Sequence, residues 1–292
     1  MSPIRMNDAP SFQPASLTVA AAVAAVGGWM GLAPDPVNAQ QPDDHELFTE
    51  LLQDVVVDSL VDYEALMERE DLLRRYTATL AAPARDELAE FPEHDQLAFW
   101  INSYNACMLE VVADHYPIEP GGTGLIQAVR NFFTDRPSNS VWQIPEVFDG
   151  DHCQVAGSAR SLDEIEHQII RPEFGDPRIH FAVNCAAYSC PVLREEAYVG
   201  DRLDEQLEDQ VDRFMADERH FRLEEGPPPT LTVNRVLDWY HEDFGGVEGI
   251  PPFFIGYVDG EAESLLRQDD IQVEFFEYDW TLNDIHAEPA GS

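Results

Sequence analysis

The chain has 292 residues and a formal net charge of −39, which arises from 56 Asp and Glu residues against 17 basic residues, all of them Arg. Apolar residues make up 44% of the sequence, enough for a proper core in one large domain or two small ones. The composition argues against DNA or RNA binding, because neutralising phosphates needs a basic patch and the sequence shows none.

The acidic residues are scattered along the chain rather than clustered, which is typical of a solvated surface and not of an acidic tail. Such a surface repels itself at low salt, whereas the repulsion is screened at 1 M salt, where the Debye length is roughly 3 Å. We therefore expect a protein adapted to strong salt, from a halophilic source. The competing interpretation, a site for a cationic partner, predicts clustered acids.

Residues 1–39 have the pattern of a signal peptide. Arg5 supplies the positive charge, Leu17 to Leu32 form an apolar run, and Val37-Asn38-Ala39 places small residues before a cleavage site that makes Gln40 the first mature residue. The apolar run is shorter than the roughly 20 residues of a spanning helix, so an uncleaved anchor is the weaker alternative. We expect an exported protein, periplasmic or extracellular, with no stable membrane insertion after cleavage.

The pattern of apolar residues predicts the α+β class: a single helix-rich domain, residues 40–285, with a small, mostly antiparallel sheet, followed by a disordered tail at 286–292. The predicted elements, in chain order, are a helix at 41–54, a β-like segment at 55–63, a helix at 66–80, a central helix at about 96–115, a short helix near 125–133, a hairpin over 148–155, a helix from the Ser161–Glu164 capping box to about Arg171, a strand at 178–184, a helical stretch from Cys190-Pro191 to Met215 with a break near Gly200, helices at about 234–244 and 256–267, and a final strand at 271–278.

Four cysteines follow the predicted cleavage site: Cys107, Cys153, Cys185 and Cys190. Outside the cytoplasm an even number permits disulfides, and four cysteines allow three connectivities. Cys107 falls in the strongly apolar central helix, which predicts a buried thiol rather than a reactive one.

Cys185 and Cys190 lie at the end of an apolar run and are the first candidates for chemistry. Since Pro is favoured in the first helical turn, Pro191 places Cys190 at or near a predicted helix N-terminus. The helix dipole would lower the pKa of a thiol there and favour the thiolate that a cysteine nucleophile needs. A Cys185–Cys190 disulfide is an equally favoured alternative in an exported protein.

Two histidines are candidate bases for such a thiol. His180 and Asn184 share one face of the predicted strand, because alternate side chains point the same way. His167 lies on the capped helix, one turn before Arg171. The alternative for each histidine is a packed core residue.

Glu166 falls on the apolar face of its predicted helix, where a carboxylate is costly unless it is paired. Pairing with Arg171 or Arg178 would make it structural. Without a partner its pKa would rise, and it could act as an acid or a base.

Asn102 and Asn105 lie one turn apart on the predicted central helix, where buried amides must find partners. They either anchor a neighbouring loop or donate hydrogen bonds to an oxyanion.

No cofactor and no metal is expected from the sequence. A zinc site from His167, His180, Cys185 and Cys190 matches no standard ligand spacing. The sequence also lacks a phosphate-binding loop, a dinucleotide fingerprint and a G-x-S-x-G nucleophile elbow.

At these residues the chain resembles a known family, the domain of unknown function 547, over roughly residues 45–285. The matching blocks are Val61-Asp-Tyr63, Phe99-Trp-Ile-Asn-Ser-Tyr-Asn-Ala106, Ser161-Leu-Asp-Glu-Ile-Glu-His167 with Arg171, Asp176-Pro-Arg-Ile-His-Phe-Ala-Val-Asn-Cys185 leading to Cys190-Pro191, Leu237-Asp-Trp-Tyr-His-Glu-Asp-Phe244 and Tyr278-Asp-Trp-Thr-Leu-Asn283. The biochemistry of the family is largely unassigned, so the resemblance implies no named activity. It implies that the blocks with the candidate residues converge in one place. Where the family often has Ser, this chain has Ala187, so any role of that hydroxyl is absent.

Two hypotheses follow. The first is an exported thiol-dependent hydrolase or acyl-transfer enzyme acting on an unknown small molecule or peptide. Its candidate catalytic residues are Cys190, Cys185, His180, His167 and Glu166, and its candidate substrate-binding residues are Asn102, Asn105, Arg171 and Asn184. The second is a non-catalytic exported domain that binds a ligand or partner in the same cleft, with a Cys185–Cys190 disulfide.

Overall fold

The computed structural model describes residues 45–118 and 137–287. The first range contains α1 (Glu46–Val55), β1 (Val56–Val57), β2 (Leu60–Val61), α2 (Tyr63–Glu68), α3 (Glu70–Ala81), α4 (Arg85–Leu88) and α5 (Glu93–Ala113). The second contains β3 (Cys153–Val155), β4 (Ser158–Arg160), a π-helical segment (Glu164–Ile170) continued by α6 (Arg171–Phe174), α7 (Leu203–Ala216), β5 (Phe221–Glu224), β6 (Thr230–Val233), α8 (Val236–Trp239), α9 (Ile250–Phe254), α10 (Gly260–Leu266) and β7 (Gln272–Phe275). The α+β prediction is confirmed.

Short 3-10 turns complete the second range. They are Val141–Gln143, Pro177–Phe181, Gly200–Arg202, His241–Phe244, Val247–Gly249 and Ile255–Tyr257. Within the described ranges, no helix combines the length and the apolar character needed to cross a membrane.

The strands form three small sheets rather than one. Strands β1 and β2 make one antiparallel hairpin, and β3 and β4 make another. The third sheet has the order β5-β6-β7, with β5 antiparallel and β7 parallel to the central strand. The pairing is therefore mostly antiparallel, as predicted.

Helix α5 lies at the centre of the larger of two hydrophobic clusters, which also contains side chains of α1 and α3. Nearly the whole of it is buried, from Leu97 to Ala113. It begins after Pro92, and Glu93 and Asp95 in its first turn lie at the positive end of the helix dipole. The second cluster joins α7, α9 and the three-stranded sheet.

A disulfide joins Cys107 of α5 to Cys153 of β3, with Cα atoms 5.9 Å apart. Both residues are buried. The predicted burial of Cys107 is confirmed, but the prediction of a free thiol is wrong because Cys107 is disulfide-bonded. The two residues are 46 positions apart, so the contact is tertiary and local patterns do not reveal it.

Residues 178–184 do not form the predicted strand. The carboxylate of Asp176 accepts a hydrogen bond from the main-chain N–H of Arg178 at 2.9 Å, and Pro177 lies in the first turn. The N–H of Ala182 then donates to the carbonyl of Ile179 at 2.9 Å. This local capping selects a 3-10 turn, although the alternating apolar residues suited a strand equally well.

The helix predicted to begin at Cys190-Pro191 begins only at Leu203, apart from the short turn just before it. Side-chain amides take the main-chain groups that a helix would pair internally. Gln210 donates to the carbonyl of Val192 at 2.5 Å, and Gln206 donates to the carbonyl of Ala197 at 2.8 Å. The segment therefore has no regular helix here, and these two main-chain carbonyls remain paired.

The hairpin predicted over residues 148–155 lies further along, between β3 and β4. Its two turn residues, Ala156 and Gly157, both have positive φ (52° and 74°), as tight hairpin turns require. The capping serine is confirmed, since Ser161 Oγ accepts from the N–H of Glu164 at 3.0 Å. The short helix predicted near 125–133 lies outside the described residues.

Arginine side chains join separate elements through several carboxylates each. Arg178 lies within 2.6 Å of Asp176, 2.8 Å of Asp204 and 2.7 Å of Glu208, and so ties a 3-10 turn to α7. These three partners raise the pKa of Arg178 above its already high ordinary value, against the effect of burial.

Candidate functional site

Asn102 is a buried residue of α5 that holds the segment containing Tyr198. Its Nδ2 donates to the carbonyl of Tyr198 at 2.7 Å, and its Oδ1 accepts from the N–H of the same residue at 2.9 Å. An amide is the side chain that can donate and accept side by side in this way. The structure therefore uses this side chain to anchor a loop.

Asn105 holds the neighbouring segment in the same manner. Its Nδ2 donates to the carbonyl of Ala182 at 3.0 Å, and its Oδ1 accepts from the N–H of Asn184 at 2.8 Å. Asn184 continues the chain of amides, since it donates to the carbonyl of Pro191 and accepts from the N–H of Ala186. Asn105 and Asn184 thus fix the loop that carries Cys185 and Cys190, and Asn102 fixes the segment that follows it.

The two free thiols, Cys185 and Cys190, face each other across this loop, with their sulfurs 2.9 Å apart. The N–H of Cys185 also donates to the sulfur of Cys190 at 2.9 Å. Ala186 has a φ of 59°, which turns the chain back on itself between them. Cys185 is half-buried, whereas Cys190 is only 5% exposed.

The sulfur of Cys185 is surrounded by hydrogen-bonding groups that can donate to its thiolate. The Tyr278 hydroxyl lies 3.1 Å away, and the N–H of Ala187 bonds to the same sulfur. The bond from Cys190, then those from Tyr278 and Ala187, lower the pKa of Cys185 below the usual thiol value, although burial opposes them. Donors that converge on one sulfur favour its thiolate.

Cys190 has the opposite tendency. Burial first, and then its hydrogen bond to Cys185, raise the pKa of Cys190 well above its ordinary value. The predicted helix N-terminus at Cys190 is absent, so no helix dipole acts on this thiol. The structure thus transfers the role of the more acidic thiol from Cys190 to Cys185.

Tyr278 links the thiol to an aromatic surface. Its ring centre lies 4.8 Å from Trp239 and 4.6 Å from Trp280. Trp239 is 45% exposed, so the aromatic group extends from the thiol to solvent. Burial, and then negative charge on Cys185, raise the pKa of the Tyr278 hydroxyl well above its ordinary value, so it remains a donor at neutral pH.

Glu166 is buried, as the apolar face predicted, but neither predicted arginine pairs with it. Arg178 is held by the three acids described above, and Arg171 binds Asp243. Glu166 instead accepts a hydrogen bond from the Tyr240 hydroxyl. Burial, followed by the charge of Glu166, raises the pKa of Tyr240 well above its ordinary value.

His180 is buried and fixed on two sides. Its Nε2 lies 2.7 Å from Asp243 Oδ2, and its ring stacks on Tyr240 at 4.2 Å. Its Nδ1 is buried and has no hydrogen-bond partner among the residues that the structure describes. The bond to His180, and then the bonds to Arg171, hold the pKa of Asp243 well below its usual range.

Arg171 and His167 lie at the outer edge of this group. Arg171 binds both carboxylate oxygens of Asp243, at 2.7 and 3.0 Å, and its guanidinium lies 4.8 Å above the ring of Tyr240. The side chain of His167 is 35% exposed and lies 3.9 Å from Asp163. Glu166 faces inward and the next residue, His167, faces outward, because successive side chains point in different directions around a helix.

The sequence patterns missed four residues of the site: Tyr104, Tyr240, Asp243 and Tyr278. Burial raises the pKa of Tyr104 well above its ordinary value, and the charges of Glu166 and Cys185 contribute. All four lie in blocks of the family resemblance, which was the only available signal. Their distances along the chain from Cys185 hid the convergence.

The described residues contain no cluster of three or more His, Cys, Asp or Glu side chains that could hold a metal ion. A surface cleft of about 650 Å³ lies elsewhere and is lined by Glu208, Asp212, Gly256, Tyr257, Val258, Asp259 and Ala262. None of the candidate residues lines it.

The fold and the site define an α+β domain in which a loop fixed by asparagines presents two thiols to a group of tyrosines. Residues 88–215 match the family described as "Protein of unknown function, DUF547", and the chain resembles that family. The matched range includes α5, Glu166, His180 and both thiols. The comparisons with curated proteins and with solved structures gave no match.

Proposed function

We propose that this protein is an exported thiol-dependent enzyme of the hydrolase or acyl-transfer class, with Cys185 as its nucleophile. The observation that supports it is the set of groups that can donate to an ionised Cys185 sulfur, namely the Tyr278 hydroxyl, the N–H of Ala187 and the thiol of Cys190. Thiolate, not thiol, is the nucleophilic form. Cys185 is also the more exposed of the two thiols.

In this proposal the Cys185 thiolate attacks an acyl carbon and forms a thioester, and the leaving group departs with a proton. His180 is the candidate base that takes the proton of the Cys185 thiol and returns it to the leaving group, because its Nε2 is bonded to Asp243 and its Nδ1 has no partner among the residues that the structure describes. Water then hydrolyses the thioester, or another nucleophile takes the acyl group. Glu166 and Tyr240 form the polar wall beside His180.

Asn102, Asn105 and Asn184 enter this proposal as residues that shape the loop, because their amide groups are engaged with main-chain atoms. Arg171 enters it as a partner of Asp243. Export and adaptation to strong salt remain part of the proposal, on the composition and the pattern of residues 1–39.

The test is the pH dependence of alkylation by iodoacetamide, followed by peptide mapping of each cysteine. We expect Cys185 to react with a midpoint below that of an unperturbed thiol. The Tyr278→Phe variant is expected to react about fivefold more slowly at pH 7, since one hydrogen bond is worth about 1 kcal/mol. Tyr257→Phe is the matched control, because that hydroxyl bonds to Glu208 instead.

A panel of chromogenic acyl esters and peptides then tests turnover, with Cys185→Ser as the inactive reference. Alkylation of Cys185 no faster than that of an unfolded cysteine would remove the basis of the proposal. So would turnover that survives Cys185→Ser.

The second candidate is a non-catalytic binding domain in which Cys185 and Cys190 form a disulfide, and the 2.9 Å between the sulfurs favours it. A fall in Tm on reduction alone does not separate the candidates, because reduction also breaks the bridge between Cys107 and Cys153. The double variant Cys185→Ser/Cys190→Ser does separate them. If the bridge is structural, this variant should have a lower Tm than wild type under oxidising conditions and should still bind the ligand.

A further inference from the structure

We propose that Cys185 and Cys190 form a reversible redox pair that exchanges with disulfides of low-molecular-weight thiols, with Cys185 as the attacking and Cys190 as the resolving sulfur. This inference rests on the proposed nucleophilic character of Cys185, but it does not need acyl transfer.

The first support is that the loop already holds the two sulfurs together. They are 2.9 Å apart, and the N–H of Cys185 donates to the sulfur of Cys190. The N–H of Cys190 donates to the carbonyl of Ala187 at 2.9 Å, which closes the loop from the other side. Joining the sulfurs therefore needs little movement of the chain, so little conformational entropy is lost.

The second support is the unequal access to the two sulfurs. Cys185 is half-buried, whereas Cys190 is 5% exposed. A disulfide from solution can therefore reach Cys185 but not Cys190. The buried Cys190 sulfur can then attack only the mixed disulfide formed at Cys185. The lowered pKa of Cys185 and the raised pKa of Cys190 agree with this order.

The third support is the contrast with the other two cysteines of the same chain. Cys107 and Cys153 are 1% and 3% exposed and are joined, as expected of a structural bridge. Cys185 and Cys190 are free although their sulfurs are in contact. The Cys107–Cys153 bridge thus stabilises the fold. Cys185 and Cys190 can be oxidised and reduced with each other while that bridge stays intact.

The exchange has two steps. The Cys185 thiolate attacks one sulfur of the external disulfide, forms a mixed disulfide and releases one thiolate. Cys190 then loses its proton and attacks the Cys185 sulfur, which forms the Cys185–Cys190 bond and releases the second thiolate. The protein loses two electrons and two protons in total, and the external disulfide is reduced to two thiols.

The experiment treats the full mature protein with oxidised glutathione at neutral pH, then traps free thiols with acid and maps every cysteine by mass spectrometry. We expect wild type to form the Cys185–Cys190 disulfide without a stable adduct and to recover both thiols in reduced glutathione. Cys190→Ser should accumulate one glutathione on Cys185. In Cys185→Ser, Cys190 should react at least about tenfold more slowly than Cys185 does in Cys190→Ser.

Cys190→Ala replaces Cys190→Ser if the latter does not fold, and the bridge between Cys107 and Cys153 serves as the internal control that must stay intact. A stable glutathione adduct on Cys185 of wild type would overturn the resolving role of Cys190. Equal reactivity of the two cysteines in the single variants would overturn the order of attack.

The two proposals fail separately in this design. Fast alkylation of Cys185 without formation of a Cys185–Cys190 disulfide overturns the redox proposal but still supports Cys185 as a nucleophile. Reversible disulfide formation without turnover of any acyl substrate supports the redox pair and counts against acyl transfer.

Discussion

Removal of the disulfide between Cys107 and Cys153 should destabilise the protein by about 5 kcal/mol. The two residues are 46 positions apart, and closing a loop of that length lowers the entropy of the unfolded chain by an amount worth about 4 kcal/mol. Both side chains are buried, so replacing one sulfur by hydrogen in a single variant adds about 1 kcal/mol of lost packing to this loss. The variants are Cys107→Ala, Cys153→Ala and the double substitution.

Urea titration followed by far-UV circular dichroism measures the free energy of unfolding of each variant, at one fixed salt concentration. With a slope of about 2.5 kcal/mol per molar urea, the midpoint should fall by about 2 M. Each single substitution already breaks the bridge, so the double variant should be little less stable than either single variant. This strong non-additivity is the signature of a covalent link.

A loss below about 1 kcal/mol in either single variant would refute the reasoning. So would two single losses that add up to the loss of the double variant, because independent residues behave in that way.

Three further predictions concern the fold. Burial lowers the pKa of His220 from 6.5 to about 4, so the unfolded chain binds more protons than the folded protein between these pH values. The free energy of unfolding should therefore fall by about 3 kcal/mol from pH 7 to pH 4. Chemical denaturation of His220→Gln across that range should show a smaller fall, and an equal fall would contradict the assignment. In Gly249→Ala the new Cβ would meet the carbonyl oxygen of Phe244 at 1.8 Å, so Tm should drop by several degrees, whereas Gly256→Ala meets nothing within 4 Å and should leave Tm nearly unchanged. Asn102→Asp removes the donor to the buried carbonyl of Tyr198, so the free energy of unfolding measured by urea titration should fall by at least about 2 kcal/mol. Unchanged stability would show that this hydrogen bond is dispensable.

The fold could be predicted where periodicity is long and unambiguous. The central helix was predicted at about 96–115 and found at Glu93–Ala113, because its apolar residues repeat over many turns. The segment 178–184 is too short for periodicity to decide, and the caps by Asp176 and Pro177 selected a turn instead. The irregular course after Cys190 depends on amides that come from α5 and α7, so no local pattern could indicate it.

The location of the site could be predicted, but the roles and partners of its residues could not. The loop of Cys185 and Cys190 was identified because polar and thiol residues end an apolar run. Which thiol has the lowered pKa depends on Tyr278, 93 residues further along the chain, and on the burial of Cys190. The partner of His180 is likewise 63 residues away, at Asp243. Such long-range contacts are properties of the tertiary structure alone.

The triple contact of Arg178 has a consequence for how so acidic a chain remains compact. A guanidinium has five N–H groups in one plane, so it can act as a junction for several carboxylates at once. A lysine ammonium, a single point charge on a flexible stem, cannot span Asp176, Asp204 and Glu208 in the same way. With only 17 cations for 56 acids, the chain gains the most cross-links per positive charge by using arginine alone.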